Sequence, residues 1–335
     1  MRDNRGNVIT RGSMQAMRGA LGVIVLMLAG YTNNAVAQTA ASQTQPEKKV
    51  EVGVGDVSDG SWKFGEYNGL ENKGPLGIGN FDLRGGAAYD SASTWRWRLT
   101  GTNLGLEIRN LSAYFAKQGK FRLTLGYDEL LKIRSDSYQT PYLGAGTNNL
   151  TLPANWIAPK VPQVNAANVN FRSLDPIAGT GSVYVAGVLT PPTAAQLTTL
   201  ANIRAADVPD FHNVNLWTKR YRGDVGFSYS PNQQWEIPVS FRHEHKGGYK
   251  PLGAVTSQVS EFSGTIPDLI DTDTDQVNGS LNYKVKNLFL AVAYYGSLFK
   301  NNVQSMTWQD VNDPTKSATM ASAPSNQFNQ FSLTA

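Results

Sequence analysis

Cysteine is missing from all 335 residues. Its absence excludes a disulfide, a thiolate metal centre and a CxxCH haem attachment in this chain. Any cofactor chemistry of that kind has to be carried by another molecule. Long apolar runs are scarce too. Past residue 31 no stretch reaches the roughly eighteen residues that a membrane-spanning helix requires. The net charge of +4 comes from scattered lysines and arginines, without the basic cluster that marks a nucleic-acid surface. Enzyme signatures are equally thin. GIGN and GTNLG hold glycines, but no helical pattern follows either, and GxSxG does not occur.

What is present begins with an address. GALGVIVLMLAGY (19–31) is an uncharged apolar run after Arg18, and Ala35-Val36-Ala37 forms an A-x-A site before Gln38. That arrangement predicts a signal peptide over 1–37, removed on export, with Met14 and Met17 as alternative starts. Residues 38–50 (QTAASQTQPEKKV) then read as a polar periplasmic tether.

The mature chain alternates. TWRWRLTG (94–101) sets Trp95, Trp97 and Leu99 on one face of a strand, with Arg96, Arg98 and Thr100 on the other. The same period recurs in GKFRLTLGYDEL (119–130), YRGDVGFSYS (221–230), QWEIPVSFRH (234–243) and TDQVNGSLNYKV (274–285). It is weaker in FDLRGGAAY (81–89) and NLGLEIRN (103–110), where the phase slips near Asn110 as at a β-bulge. LFLAVAYYGS (288–297) is apolar on both faces.

Links alternate in length as well. Short ones fall at 90–93, 117–119, 230–233 and 286–287; long ones fall at 58–78, 131–213, 246–272 and 299–326. Only 101–103 is short where a long one is due. Strands of about ten residues, with short turns at one end and long loops at the other, predict an all-β, transmembrane antiparallel barrel of the outer-membrane type. Nine strands and the beginning of a tenth are present. A soluble β-sandwich or propeller also alternates, but its strands average about five or six residues and need no aromatic belts.

In the barrel reading Tyr89, Trp95, Trp217, Tyr229 and Trp235 are interface aromatics at the level of lipid headgroups. Arg84, Arg96, Arg98, Arg109, Arg122, Arg220, Arg222, Arg242 and Lys284 face the lumen with Asp82, Glu107, Asp128, Asp224 and Glu236. Ordinary lining by mutually satisfied charges explains most of these residues individually.

Other motifs promise less. DTDTD (271–275) starts like a calcium loop but lacks the glycine and distant glutamate that complete one. FRHEH (241–245) sets His243 and His245 on one face, with no third ligand visible in the sequence. Neither predicts a metal site, and no catalytic or cofactor-binding residue is assigned. Pro238 falls inside a predicted strand, so either a bulge or a different register is expected there. The connection 131–213 is too long for a bare loop and is expected either to cap the barrel outside or to fold into its lumen.

Several stretches resemble one family, the MtrB/PioB decahaem-associated outer-membrane barrels. They are VSDGSWKFGEYNGLENKGPLGIGNFDLR (57–84), WRLTGTNLGLEIRNLSAYFAKQGKFRLTLGYDEL (97–130), TPYLGAGTNNLTLPANW (140–156), KRYRGDVGFSY (219–229), FRHEHKGGYKPLGA (241–254) and YYGSLFKNN (294–302). The resemblance implies a barrel of well over twenty strands, of which 51–335 looks like the N-terminal part. An open sheet of ten strands would leave two unpaired edges in lipid.

The resemblance also implies a function. A barrel of this family sheathes a periplasmic multihaem c-type cytochrome, so that electrons cross the outer membrane to or from extracellular iron or a surface cytochrome. The haem belongs to the partner, and none is expected in this chain. Some metal-reducing members carry a paired-cysteine motif near the mature N-terminus. Its absence here resembles the iron-oxidising, PioB-like side. The lumen cations would then meet an acidic cytochrome surface. The alternative is a passive or substrate-selective porin with a water-filled bore.

Overall fold

The computed structural model describes residues 45–158, 183–185, 188–190, 194–257 and 262–335. The predicted leader over 1–37 lies outside the described residues.

Ten strands follow one another in chain order through a single sheet. They are β1 (Lys48–Val57), β2 (Gly74–Gly86), β3 (Trp95–Leu104), β4 (Asn110–Lys117), β5 (Phe121–Ser135), β6 (Leu216–Tyr229), β7 (Trp235–Ser257), β8 (Phe262–Val285), β9 (Leu288–Asn301) and β10 (Asn326–Thr334). Every neighbouring pair is antiparallel. The borders, β1 and β10, do not pair with each other. Among the described residues no helix is long and apolar enough to cross a membrane. β1 starts at Lys48, inside the stretch read as a tether.

The links sort by end as the sequence predicts, with one correction. The segment 103–110 is not a strand. It is the end of β3 and a turn. Asn103 and Gly105 both take positive φ, 55° and 99°. A Cβ on Gly105 would lie 2.3 Å from the Gly77 carbonyl oxygen, so only glycine fits. The phase slip expected near Asn110 falls instead at Thr102–Asn103. Gly79 pairs with Leu104 and Phe81 with Gly101, which leaves one extra residue on β3. The Asn80 side-chain oxygen accepts the Asn103 N–H at 2.8 Å.

Pro238 needs neither a bulge nor a new register. On its β6 side the pairing is continuous, Ser228 with Pro238 and Tyr229 with Ile237. On its β8 side the pairs pass from Glu236–Asn282 to Val239–Gly279 with equal spacing on both strands. The Ile237 and Pro238 rungs to β8 are interrupted, and the register on either side of them is unchanged.

The expected loop 246–272 is mostly strand. β7 has 23 residues and β8 has 24; a tilted crossing needs only about 9–11. The two strands leave the sheet together as a ribbon. β6 stops pairing at Thr218–Gly248. There Gly248 has φ 121°, and a Cβ on it would lie 2.2 Å from the Trp217 carbonyl oxygen. Glycine lets the ribbon diverge without a clash.

The ribbon carries the one well-packed core of the described residues. Tyr142, Leu150, Leu152, Ala254, Ile266, Val303, Met306 and Trp308 cluster there. They come from three connections that are far apart in sequence. Ser305–Asp310 and Asp313–Ala321 form a hairpin, and Asn149–Leu150 adds to it in parallel. Indole N–H groups then tie the layers: Trp308 donates to the Val255 carbonyl and Trp156 to that of Val311, each at 2.9 Å. By alternation Leu252, Ala254 and Ile266 stand on the same side of the ribbon as Arg242 and Glu244. The cap is therefore built on the extension of the polar face.

Candidate functional site

Two faces of one sheet make up the site. On the first, a row of side chains crosses six strands without a polar interruption: Leu99, Ala113, Leu125, Val225, Phe241, Val277. Val225, Phe227 and Phe241 are nearly half exposed although they lie mid-sheet. An apolar patch this wide calls for an apolar neighbour. Phe289 and Ala291, from the segment apolar on both sides, fall on the opposite face.

Aromatic rings edge the apolar face. At the short-turn end Trp95 meets Phe121 edge-on at 5.5 Å, Phe121 stacks on Phe227 at 6.3 Å, and Trp235 leans on Tyr283 at 4.7 Å. Tyr229 pairs directly with Phe121 in the same belt. Tyr89 lies beyond β2 in the link to β3, with the Arg96 guanidinium 5.5 Å from its ring. At the opposite end Trp217 packs edge-on against Tyr249 at 5.9 Å.

The second face is ionic. Arg84 and Arg98 share Asp82, at 2.7 and 2.8 Å. Asp224 takes Arg242 at 2.5 Å and Arg222 at 3.3 Å. Arg222 is also within 3.9 Å of Asp128, and Arg220 within 3.5 Å of Glu244. Arg96 donates to the backbone carbonyls of Ala88, Ser93 and Trp95. Glu236 accepts from Ser228 at 2.8 Å. Lys284 sits at the short-turn end opposite Phe289. Arg122 borders a groove of about 480 Å³, floored by hydroxyls and amides such as Thr124, Ser240, Asn278 and Ser280.

Among the predicted polar-face residues Glu107 is an exception, and so is Arg109. It lies in the β3–β4 turn and reaches Glu129 on the apolar side, 3.2 Å away. Glu107 is there too. Lys219 contacts Glu129 at 3.1 Å and Glu107 at 3.3 Å, and the Tyr127 hydroxyl donates to Glu129 at 2.6 Å. Glu129 is 5% exposed and Lys219 is 11%, so a nearly buried ion pair lies at the centre of this cluster. Its side of the sheet was misread because 103–110 reads as a strand with Leu104, Leu106 and Ile108 on the apolar face, whereas 105–109 is a turn. Glu129 and Lys219 gave no sequence signal, since each reads as one more charge at a strand end.

One further juxtaposition unites two motifs that looked empty apart. FRHEH and DTDTD are partners in the ribbon: His243 opposes Asp275, His245 opposes Asp273, and Gly247 opposes Asp271. The ligand that FRHEH seemed to lack comes from the adjacent strand.

A wide antiparallel meander with an apolar, ring-edged face and an ionic one is a wall of an outer-membrane β-barrel. The chain belongs to the MtrB/PioB family of outer membrane beta-barrel porins, which it matches over residues 57–335. It is 27% identical over 316 residues to the outer membrane protein MtrB of Shewanella baltica (strain OS185). That alignment takes in 92% of this chain but only 38% of the relative, so the chain spans well under half of the relative's length. The family is one of structural barrels, not of enzymes.

Proposed function

We propose that this chain forms part of a barrel wall that sheathes a periplasmic multihaem c-type cytochrome and so builds an electron conduit across the outer membrane. The observation that carries the reading is the division between the faces. Leu125 and Val225 look outward to acyl chains; Arg122, Arg222 and Asp224 look inward to an aqueous bore. A hydrocarbon layer about 30 Å thick insulates and rejects charged groups such as haem propionates. A polar-lined tunnel admits a water-soluble haem protein without that desolvation penalty.

On this reading cations outnumber carboxylates on the inner face, which suits an acidic partner surface. The capped ribbon stands at the outer mouth. Residues 1–37 direct export and are removed in the course of it. Both sheet borders require further strands for closure, and these are assigned to the remainder of a longer barrel.

Purification of the full-length gene product with haem staining of co-eluting proteins tests the proposal. A stoichiometric haem-staining partner is the expected result. A haem-free barrel that conducts ions freely in planar bilayers would identify an open porin instead.

A further inference from the structure

Imidazole and carboxylate oxygens converge where the β7–β8 ribbon leaves the sheet. His245 Nδ1 lies 2.9 Å from an Asp273 oxygen and 3.9 Å from an Asp271 oxygen. One ligand atom from each of the three residues falls within 4.8 Å of the others. Two donors about 2.1 Å from a shared tetrahedral ion are themselves about 3.4 Å apart, so small side-chain rotations suffice to close the set.

Rigid strands hold these groups. His245 and Asp273 are direct cross-strand partners, and Asp271 is two positions along the same face. The Tyr221 ring lies nearly parallel to the imidazole, 25° between planes and 6.3 Å between centroids. The Asn302 amide donates to Asp271 and Asp273, both at 2.9 Å, and so orients both carboxylates from the end of β9. Such outer-shell orientation is usual around a metal. The three side chains also keep an open route, with 40%, 44% and 25% exposure for His245, Asp271 and Asp273. Lys300, opposite Asp273 on β9, is the nearest competing cation in the register.

We propose that His245, Asp271 and Asp273 bind a divalent first-row transition-metal ion on the outer flank of the ribbon. One imidazole with two carboxylates favours ions such as Zn²⁺ or Fe²⁺ over Ca²⁺ or Mg²⁺, which prefer all-oxygen shells. The ion displaces the proton shared between His245 and Asp273 and fastens β7 to β8. Through Asn302 it fastens them to β9 as well.

The test is Zn²⁺ titration of the full chain in detergent micelles by calorimetry. One saturable equivalent is expected, weakened tenfold or more in H245A and in the D271N/D273N pair. His212, which lies in another connection, serves as control, and H212A is expected to bind as the parent does. An unaltered-chain measurement covers variants that fail to assemble: Zn²⁺ is expected to shield His245, but not His212, from diethylpyrocarbonate. Absence of saturable binding, equal binding by H245A, or unshielded His245 overturns the proposal.

Discussion

Arg84 and Arg98 face each other directly across β2 and β3, and one carboxylate, Asp82, is bonded to both. Arg98 grips it with Nε and Nη2 at 2.8 and 2.9 Å. Two guanidiniums at a cross-strand position repel unless something lies between them. Asp82→Ala is therefore expected to lower the unfolding midpoint more than Arg98→Ala, which removes repulsion along with the bond. Urea unfolding midpoints in lipid vesicles check the order. A larger loss for Arg98→Ala would refute it.

The division of faces predicts an asymmetry between consecutive residues. Leu125 and Thr124 stand on opposite sides of β5, paired respectively with Val225 and Gly226. Leu125→Arg puts a charge into hydrocarbon and is expected to cost about 2–4 kcal/mol, while Thr124→Arg is tolerated. Single cysteines at Leu123 and Phe227 should resist aqueous thiol reagents, and those at Arg122 and Asp224 should react. The reverse pattern would overturn the barrel reading whatever its family.

Met306 is fully buried in the cap, against Leu150 and Ile266. Met306→Ala leaves a void and is expected to weaken the cap by about 2–5 kcal/mol. The core draws on the outer ends of β7 and β8 but on no residue of β2–β6. Limited proteolysis should then cut first within the hairpin 305–321 and near 139–156, with the β2–β5 segment still intact. Simultaneous digestion of cap and sheet would show that they unfold as one unit.

Tyr142 supplies a pH test outside the membrane. Burial holds its phenol well above the ordinary tyrosine range, and the charge on Asp310 adds to the effect. Its hydroxyl donates to the Gln309 carbonyl at 2.9 Å. The folded cap thus keeps this proton more tightly than the unfolded chain does. The stabilisation is complete below about pH 10, the unfolded value, and declines as pH rises from there toward the folded one. Cap melting followed by tryptophan fluorescence should fall steeply above pH 10, and less steeply in Tyr142→Phe. Equal slopes would remove Tyr142 as the cause.

Much of this architecture can be read in the primary structure because a β-strand has a period of two. Trp95, Trp97 and Leu99, or Leu123 and Leu125, announce both the strand and the side it turns to a hydrophobic neighbour. Link lengths order the strands, since each short turn forces an antiparallel return. Where that environment stops, the signal stops. Residues 246–255 pair with 263–272 in unbroken register, yet the cap packs on one side of this ribbon, so the alternation of the barrel wall does not mark them.

Other features depend on which segments meet. The apolar spacing of Leu104, Leu106 and Ile108 imitates a strand where the chain makes a turn, which is why Arg109 belongs with Glu129 and not with Arg98. The cap unites Tyr142, Ile266 and Trp308, whose burial depends on three distant connections closing together. His245 and Asp273 carry no mutual signal along the chain; only the register of β7 against β8 sets an imidazole beside a carboxylate. Local sequence determined the period and the faces, because those follow from backbone geometry one residue at a time. Tertiary structure alone decided the ionic cluster, the cap and the His–Asp ladder, because each depends on contacts between residues far apart in the chain.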